Sequence, residues 1–160
     1  MRTVIIKDRS RINDILKKCK ICYVAMSLDN VPYVLPMSFA ISGDTVILHS
    51  GKTGRMAEIL QKNSRVCINW TYGEDLAWQD IRVGCSYRFK SVSVIIEGNV
   101  EFIDTYVEKE QCLKLLMGQY SDRQFKFNAP AVKNVGIMKI HIDQISAREF
   151  GASSLLPPRR

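Results

Sequence analysis

No apolar run in this chain of 160 residues approaches the about 20 residues that a membrane-spanning helix needs. The first eight residues, Met1-Arg2-Thr3-Val4-Ile5-Ile6-Lys7-Asp8, also lack the apolar stretch of a secretory signal. A cytoplasmic protein without membrane contact is the expectation. Histidine is scarce, with His49 and His141 alone, and no metal-ligand cluster, carboxylate pair or Ser-His-Asp set stands out. Five cysteines is an odd number, which excludes a complete set of internal disulfides and favours a reducing compartment. Cys19 and Cys22 form a single Cys-x-x-Cys, and the scattered Cys67, Cys85 and Cys112 offer no second pair for a structural zinc. The net charge of +7 is spread along the chain and not gathered in a block. That distribution favours a solvated surface with a site for an anionic ligand over a nucleic-acid groove. Repeats and low-complexity stretches are absent too, and the composition is that of an ordinary globular protein.

The most informative stretch that is present is His49-Ser50-Gly51-Lys52-Thr53-Gly54-Arg55-Met56. It follows Thr45-Val46-Ile47-Leu48, which reads as a strand, and leads into Met56-Ala57-Glu58-Ile59-Leu60, which reads as a helix. Two glycines let a backbone approach an anion closely, free amides at a helix start can point at it, and Arg55 can add a charge-assisted contact. A cation at a helix start opposes the helix dipole, an arrangement that a bound dianion would reverse. The same pattern also suits a polar loop that binds nothing. A nucleotide-binding P-loop is excluded, because Val46 stands where its first glycine would have to be.

The rest of the chain reads as about six strands and three helices. Asp8 or Ser10 can cap a first helix carrying Ile12, Ile15, Leu16 and Cys19 on one face. Residues 21–28 and 33–41 read as a hairpin around Asp29-Asn30, with Pro32 and Pro36 confining the return strand to an edge. A third strand spans 45–50 and a second helix runs from Gly54 to about Asn63. A strand over 65–72 is followed by an irregular, mobile excursion over 73–86 that holds Trp78. Residues 87–103 read as a long strand that bends at Gly98. A helix over 107–120 has Cys112, Leu115, Leu116 and Gln119 as its stripe, and a last strand covers 135–145. From Ala147 on the chain reads as a tail ending Pro157-Pro158-Arg159-Arg160, with the domain assigned to 1–150 and the tail proper to 151–160. Hairpin-length connections over 21–50 disfavour a parallel sheet and point to an antiparallel barrel with peripheral helices.

Several segments, in order, carry a family pattern: Cys22-Tyr23-Val24-Ala25, Pro32-Tyr33-Val34-Leu35-Pro36-Met37-Ser38-Phe39, His49-Ser50 with Gly54-Arg55, and Asn63-Ser64-Arg65-Val66-Cys67. Tyr87-Arg88-Phe89-Lys90-Ser91-Val92 leading to Glu97-Gly98, and Leu115-Leu116-Met117-Gly118-Gln119-Tyr120, complete it. Over about residues 10 to 150 the chain resembles the FMN-binding split-barrel proteins related to pyridoxamine 5′-phosphate oxidase. Within that group it is most similar to the nitroimidazole-resistance type of reductase.

The resemblance implies an antiparallel six-stranded split barrel, binding FMN at the interface of a homodimer. Pro36, Met37, Ser38 and Phe39 would lie along the isoalloxazine ring, and Ser91 near its polar rim. His49, Ser50, Gly51, Lys52, Thr53, Gly54, Arg55 and Met56 would hold the phosphate end. Trp70, Trp78 or Tyr87 would cover a partner's flavin. Many relatives carry Arg-Lys where this chain has Arg55-Met56, and Lys52 is the available replacement for the missing cation.

The function expected on this basis is reduction of a nitroaromatic or another flat, electron-poor small molecule, with NAD(P)H a candidate electron donor. His49 is the candidate proton source, because an imidazole can gain and lose a proton near working pH. His141, between Ile140 and Ile142, reads as part of a strand. A pyridoxamine phosphate-type oxidase would need a second phosphate site, and a non-catalytic protein would hold flavin, haem or a deazaflavin without turnover. Arg88 and Lys90 alternate with Phe89 and suit either a site or the wet face of a strand.

Overall fold

The structure, a computed structural model, describes residues 3–151. The tail expected over 152–160, with Pro157-Pro158-Arg159-Arg160, lies outside the described residues. The elements in chain order are β1 (Val4–Ile6), α1 (Arg9–Lys18), β2 (Cys22–Leu28), β3 (Val31–Met37), β4 (Phe39–Ser42) and β5 (Thr45–Gly51). Then follow α2 (Arg55–Lys62), β6 (Arg65–Ala77), β7 (Arg88–Ile103), α3 (Tyr106–Gly118), α4 (Ala129–Asn134) and β8 (Val135–Phe150). The strands join in the order β3-β2-β6-β7-β8-β5-β4, with β1 added on β8, so the sheet is antiparallel in its recorded pairings and not closed. The protein is thus a mainly antiparallel split barrel with eight strands and not the six expected. No helix of the described residues is long and apolar enough to cross a membrane.

Two strands account for the difference. The predicted strand over 33–41 is interrupted at Ser38, which separates β3 from β4, and β3 begins earlier, at Val31. The other addition is β1, whose Val4, Ile5 and Ile6 face Glu149, Arg148 and Ala147. That pairing extends β8 to Phe150 and makes strand of the residues from Ala147 that the sequence suggested were tail. The first five residues of the predicted excursion are strand as well, since β6 continues to Ala77. The Asp29-Asn30 turn carries φ values of 51° and 62°, the left-handed pair of a tight hairpin. Both prolines of β3 lie at the end of the strand order, opposite Ser27 and Tyr23, so the missing N–H groups cost no inner ladder bond.

The described residues divide into two compact units. The first comprises 3–19, 70–95 and 146–151, and the second 20–69 and 96–145. In the first unit, Asp8 caps α1 by accepting from the Ser10 N–H at 2.9 Å. This helix buries Ile12, Ile15 and Leu16, and Trp70 is fully buried in the same unit. In the second unit β2 and β5 bury Val24, Val46, Ile47 and Leu48, joined by Ile68, Ile137, Met138 and Ile140. A cluster of Ala40, Ile47, Ile103, Cys112, Leu116 and Ile137 lies against α3. The buried side of that helix is therefore Lys109, Cys112 and Leu116, whereas the predicted Leu115 is 45% exposed. Gly98 does not end β7. A Cβ there would overlap the His141 carbonyl oxygen, so the glycine permits close backbone approach within the second unit.

Candidate functional site

The β5–α2 connection in the second unit is built as a strand end feeding an uncapped helix. β5 is pinned on both sides, Leu48 opposite Phe39 of β4 and Met138 of β8, and its ladder runs to the Gly51–Val135 pair. Lys52, Thr53 and Gly54 then stand exposed. Gly54 is the N-cap residue at φ 108° and ψ 174°, a conformation that L side chains rarely adopt, and no side chain caps the helix. The helical ladder begins with Glu58 N–H donating to the Gly54 carbonyl at 3.1 Å. The N–H groups of Arg55, Met56 and Ala57 consequently have no intrahelical acceptor. Met56, Ala57, Ile59 and Leu60 are buried, which fixes the helix and points its start outward.

Arg55 is held from the side. Its guanidinium carbon lies 4.4 Å from the centroid of the Tyr33 ring on β3. This cation–π contact restrains a long side chain at the mouth of the free N–H groups. The sequence placed Tyr33 in the return strand and in the family pattern but gave it no role at the site.

Each expected residue finds a definite place. His49 is exposed on β5, opposite Ile137, and its side chain makes no hydrogen bond among the described residues. The Ser50 hydroxyl donates to the Gly51 carbonyl at 2.8 Å, so it is already engaged within the loop. The Met56 side chain is buried and leaves only the backbone N–H to face a ligand. Pro36 and Ser38 are exposed, while Met37 and Phe39 are buried. Phe39 donates its N–H to the Tyr120 hydroxyl at 2.8 Å, which leaves that backbone group spoken for. Ser91 is half-buried on β7 in the first unit, whereas all the other expected cofactor residues belong to the second.

Tyr120 lies just beyond α3. Its hydroxyl meets both the Phe39 N–H and the Ser38 side chain, at the point where β3 gives way to β4. Burial raises its pKa above the usual 10, and the two hydrogen bonds pull in the other direction. The aromatic ring thereby spans a gap in the sheet that strand patterning does not reveal.

In the first unit, Trp78 stacks on Tyr87 at 5.4 Å between centroids and 21° between planes. The Tyr87 hydroxyl donates to the Ile81 carbonyl at 3.0 Å. Asp80 accepts from the Arg82 guanidinium at 3.0 Å and 3.2 Å and from the Arg82 N–H at 2.9 Å. Arg82 holds the Asp80 carboxyl below its usual range. Trp78, Ile81 and Phe89 remain exposed, so the segment presents apolar surface from an internally bonded loop. Trp70, named with Trp78 and Tyr87 as a possible cover for a partner's flavin, is instead fully buried. Among the described residues no group of His, Cys, Asp and Glu side chains could hold a metal ion.

The sequence profile of the pyridoxamine 5′-phosphate oxidase family matches residues 8–149. Among solved structures, a candidate 5-nitroimidazole antibiotic resistance protein from Bacteroides thetaiotaomicron is 38% identical, with a TM-score of 0.84 over 92% of this chain and 87% of that one. The flavocytochrome Anf3 from Azotobacter vinelandii shares the fold at 19% identity and a TM-score of 0.78, covering 98% of this chain and 83% of that one. An FAD- and haem-binding protein from Mycobacterium smegmatis does so at 18% identity and a TM-score of 0.83, covering 92% and 74%. No curated protein matches the chain. The profile match and the 38% identical structure each extend over most of the described residues, and the chain belongs to the pyridoxamine 5′-phosphate oxidase family.

Proposed function

We infer that the protein is a homodimeric, FMN-binding oxidoreductase that reduces small, flat, electron-poor molecules, nitroaromatic compounds among them. The observation that carries this reading is the start of α2, where N–H groups without intrahelical acceptors follow an exposed glycine and the arginine at the first helical position is restrained against Tyr33. A Cβ on Gly54 would meet nothing within 4 Å, so the space in front of the helix is open to a ligand. A phosphate dianion fits these donors: it satisfies the helix-start N–H groups, gains from the helix dipole and offsets Arg55. Lys52, exposed in the same loop, supplies the second cation that the buried Met56 does not. Bound flavin would supply the electrons, passed on from a donor such as NAD(P)H, while the protein supplies position and charge.

His49 stands exposed on the strand that feeds the loop, where its imidazole can hold a proton for the substrate. Pro36 on β3 and Ser38 just beyond it offer exposed surface for a flat ring. Similarity to the Bacteroides protein supports a nitro compound as one substrate class, and the flavin- and haem-binding proteins of like fold support an aromatic cofactor. The exposed Trp78, Ile81 and Phe89 of the first unit and, separately, the exposed Val31 and Val34 on edge strand β3 of the second support apolar contact with a second copy. Purification from a cytoplasmic extract as a yellow dimer, with flavin absorption and one FMN per chain released on denaturation, is the expected result. A colourless protein that takes up no FMN on titration would end this reading.

A further inference from the structure

A cavity of about 360 Å³ in the second unit involves a charge that the proposed flavin site does not use. Lys109 of α3 lines it and is 3% exposed, the one charged residue among those fully buried in the described chain. A buried ammonium needs neutralisation and good hydrogen bonds, since desolvating an ion costs several kcal/mol. Its Nζ donates to the Val135 carbonyl at 3.1 Å, and the nearest carboxylate oxygen, from Asp104, lies 3.8 Å away. A structural ion pair would bury both partners. Here the Lys109 side chain is 4% exposed and the Asp104 side chain 94%, so the carboxylate stands in water.

The walls narrow the chemistry of an occupant. Ile103 and Ile137 are buried and apolar, and Gln61 offers an amide. Lys52 and Lys109 contribute two positive charges and Asp104 one negative, which leaves a single positive excess. The volume is at the lower end of small-molecule pockets, of the order of one ring with a substituent. We propose that this cavity binds a small aromatic or cyclic monocarboxylate, its carboxylate neutralised by Lys109 and Lys52 and its ring against Ile103 and Ile137. The cavity shares Ser50, Gly51 and Lys52 with the loop proposed for the flavin phosphate, but Tyr33, Gly54 and Arg55 do not line it, and Lys109, Ile103 and Ile137 belong to the cavity alone.

The test is a titration of the full-length protein with benzoate, followed by two-dimensional amide NMR, with neutral benzamide as the control. Saturable shifts centred on the amides of Ser50, Lys52, Ile103 and Gly136, in the low-millimolar range or tighter and with benzamide much weaker, are expected. Lys109→Met keeps the unbranched apolar stem of the side chain and removes its charge. It should weaken benzoate at least about tenfold, the scale of one charge-assisted hydrogen bond. Lys52→Ala, at an exposed position, should weaken it less. Equal binding of benzoate and benzamide, shifts centred instead on Arg55 and Met56, an unchanged affinity in Lys109→Met, or no saturation by about 10 mM would each overturn the proposal. If Lys109→Met does not fold, the wild-type shift map and the Lys52→Ala titration decide by the same criteria.

Discussion

The Phe39 N–H and the Tyr120 hydroxyl meet at 2.8 Å across the break between β3 and β4. Tyr120→Phe keeps the ring and leaves a buried N–H without its acceptor, a loss commonly worth about 1–3 kcal/mol. Urea denaturation should show a lower midpoint with an unchanged slope. An unchanged midpoint would mean that water or another acceptor takes over the N–H.

The Arg55–Tyr33 contact makes a finer prediction. Tyr33→Leu leaves the charge in place but frees the guanidinium from its ring, at a cost of about 0.5–1 kcal/mol for an exposed cation–π pair. FMN affinity should fall about two- to five-fold, while riboflavin affinity stays the same. A matching loss for riboflavin would place Tyr33 against the flavin ring and not beside the phosphate.

Alkaline stability should report Cys19. Burial, with help from Glu74, raises its thiol pKa from 9.0 to about 11. A raised folded-state value means that the native state holds the proton longer than the unfolded chain. The associated stability is therefore complete below pH 9 and is lost as pH rises towards 11. At 1.36 kcal/mol per unit this amounts to at most about 3 kcal/mol. Cys19→Ala should flatten the stability profile over that range, and the native thiol should resist alkylation at pH 8. An unchanged slope in the variant would assign the alkaline loss to other groups, with Tyr120 among the candidates.

His49→Ala should separate chemistry from binding. The variant is expected to remain dimeric and to keep most of its FMN, while nitro-compound reduction slows by about a hundredfold and its pH profile flattens near neutrality. Loss of FMN instead would make His49 a ligand of the phosphate. Survival of both binding and rate would remove it from the site.

The parts legible in the sequence are those fixed by local chemistry. Gly54 needs its positive φ wherever the loop sits, and the caps and apolar stripes of α1 and α2 follow from neighbours in the chain. The Cys-x-x-Cys is likewise plain in sequence, although its two thiols donate separately, Cys19 to the Ile15 carbonyl and Cys22 to the Met37 carbonyl. What escaped depends on residues far apart. β1 has three residues and exists through its pairing with 147–149. The break at Ser38 is held by Tyr120, more than eighty residues away. Lys109 occupies a position that periodicity would give to an apolar side chain, and only the Val135 carbonyl explains how it is tolerated there. The assignment of Ser91 to FMN came from family resemblance alone.

The measurement that bears most directly on the central claim is the affinity of FMN and riboflavin for the wild type and for Arg55→Ala, read by flavin fluorescence. Removing a charge-assisted contact to a dianion should cost about 1.5–3 kcal/mol, or one to two decades. Wild type should bind FMN far more tightly than riboflavin, and the variant should lose that preference while its weak riboflavin affinity is unaltered. Equal losses for both flavins, or no loss for either, would contradict the assignment of the α2 start to the flavin phosphate.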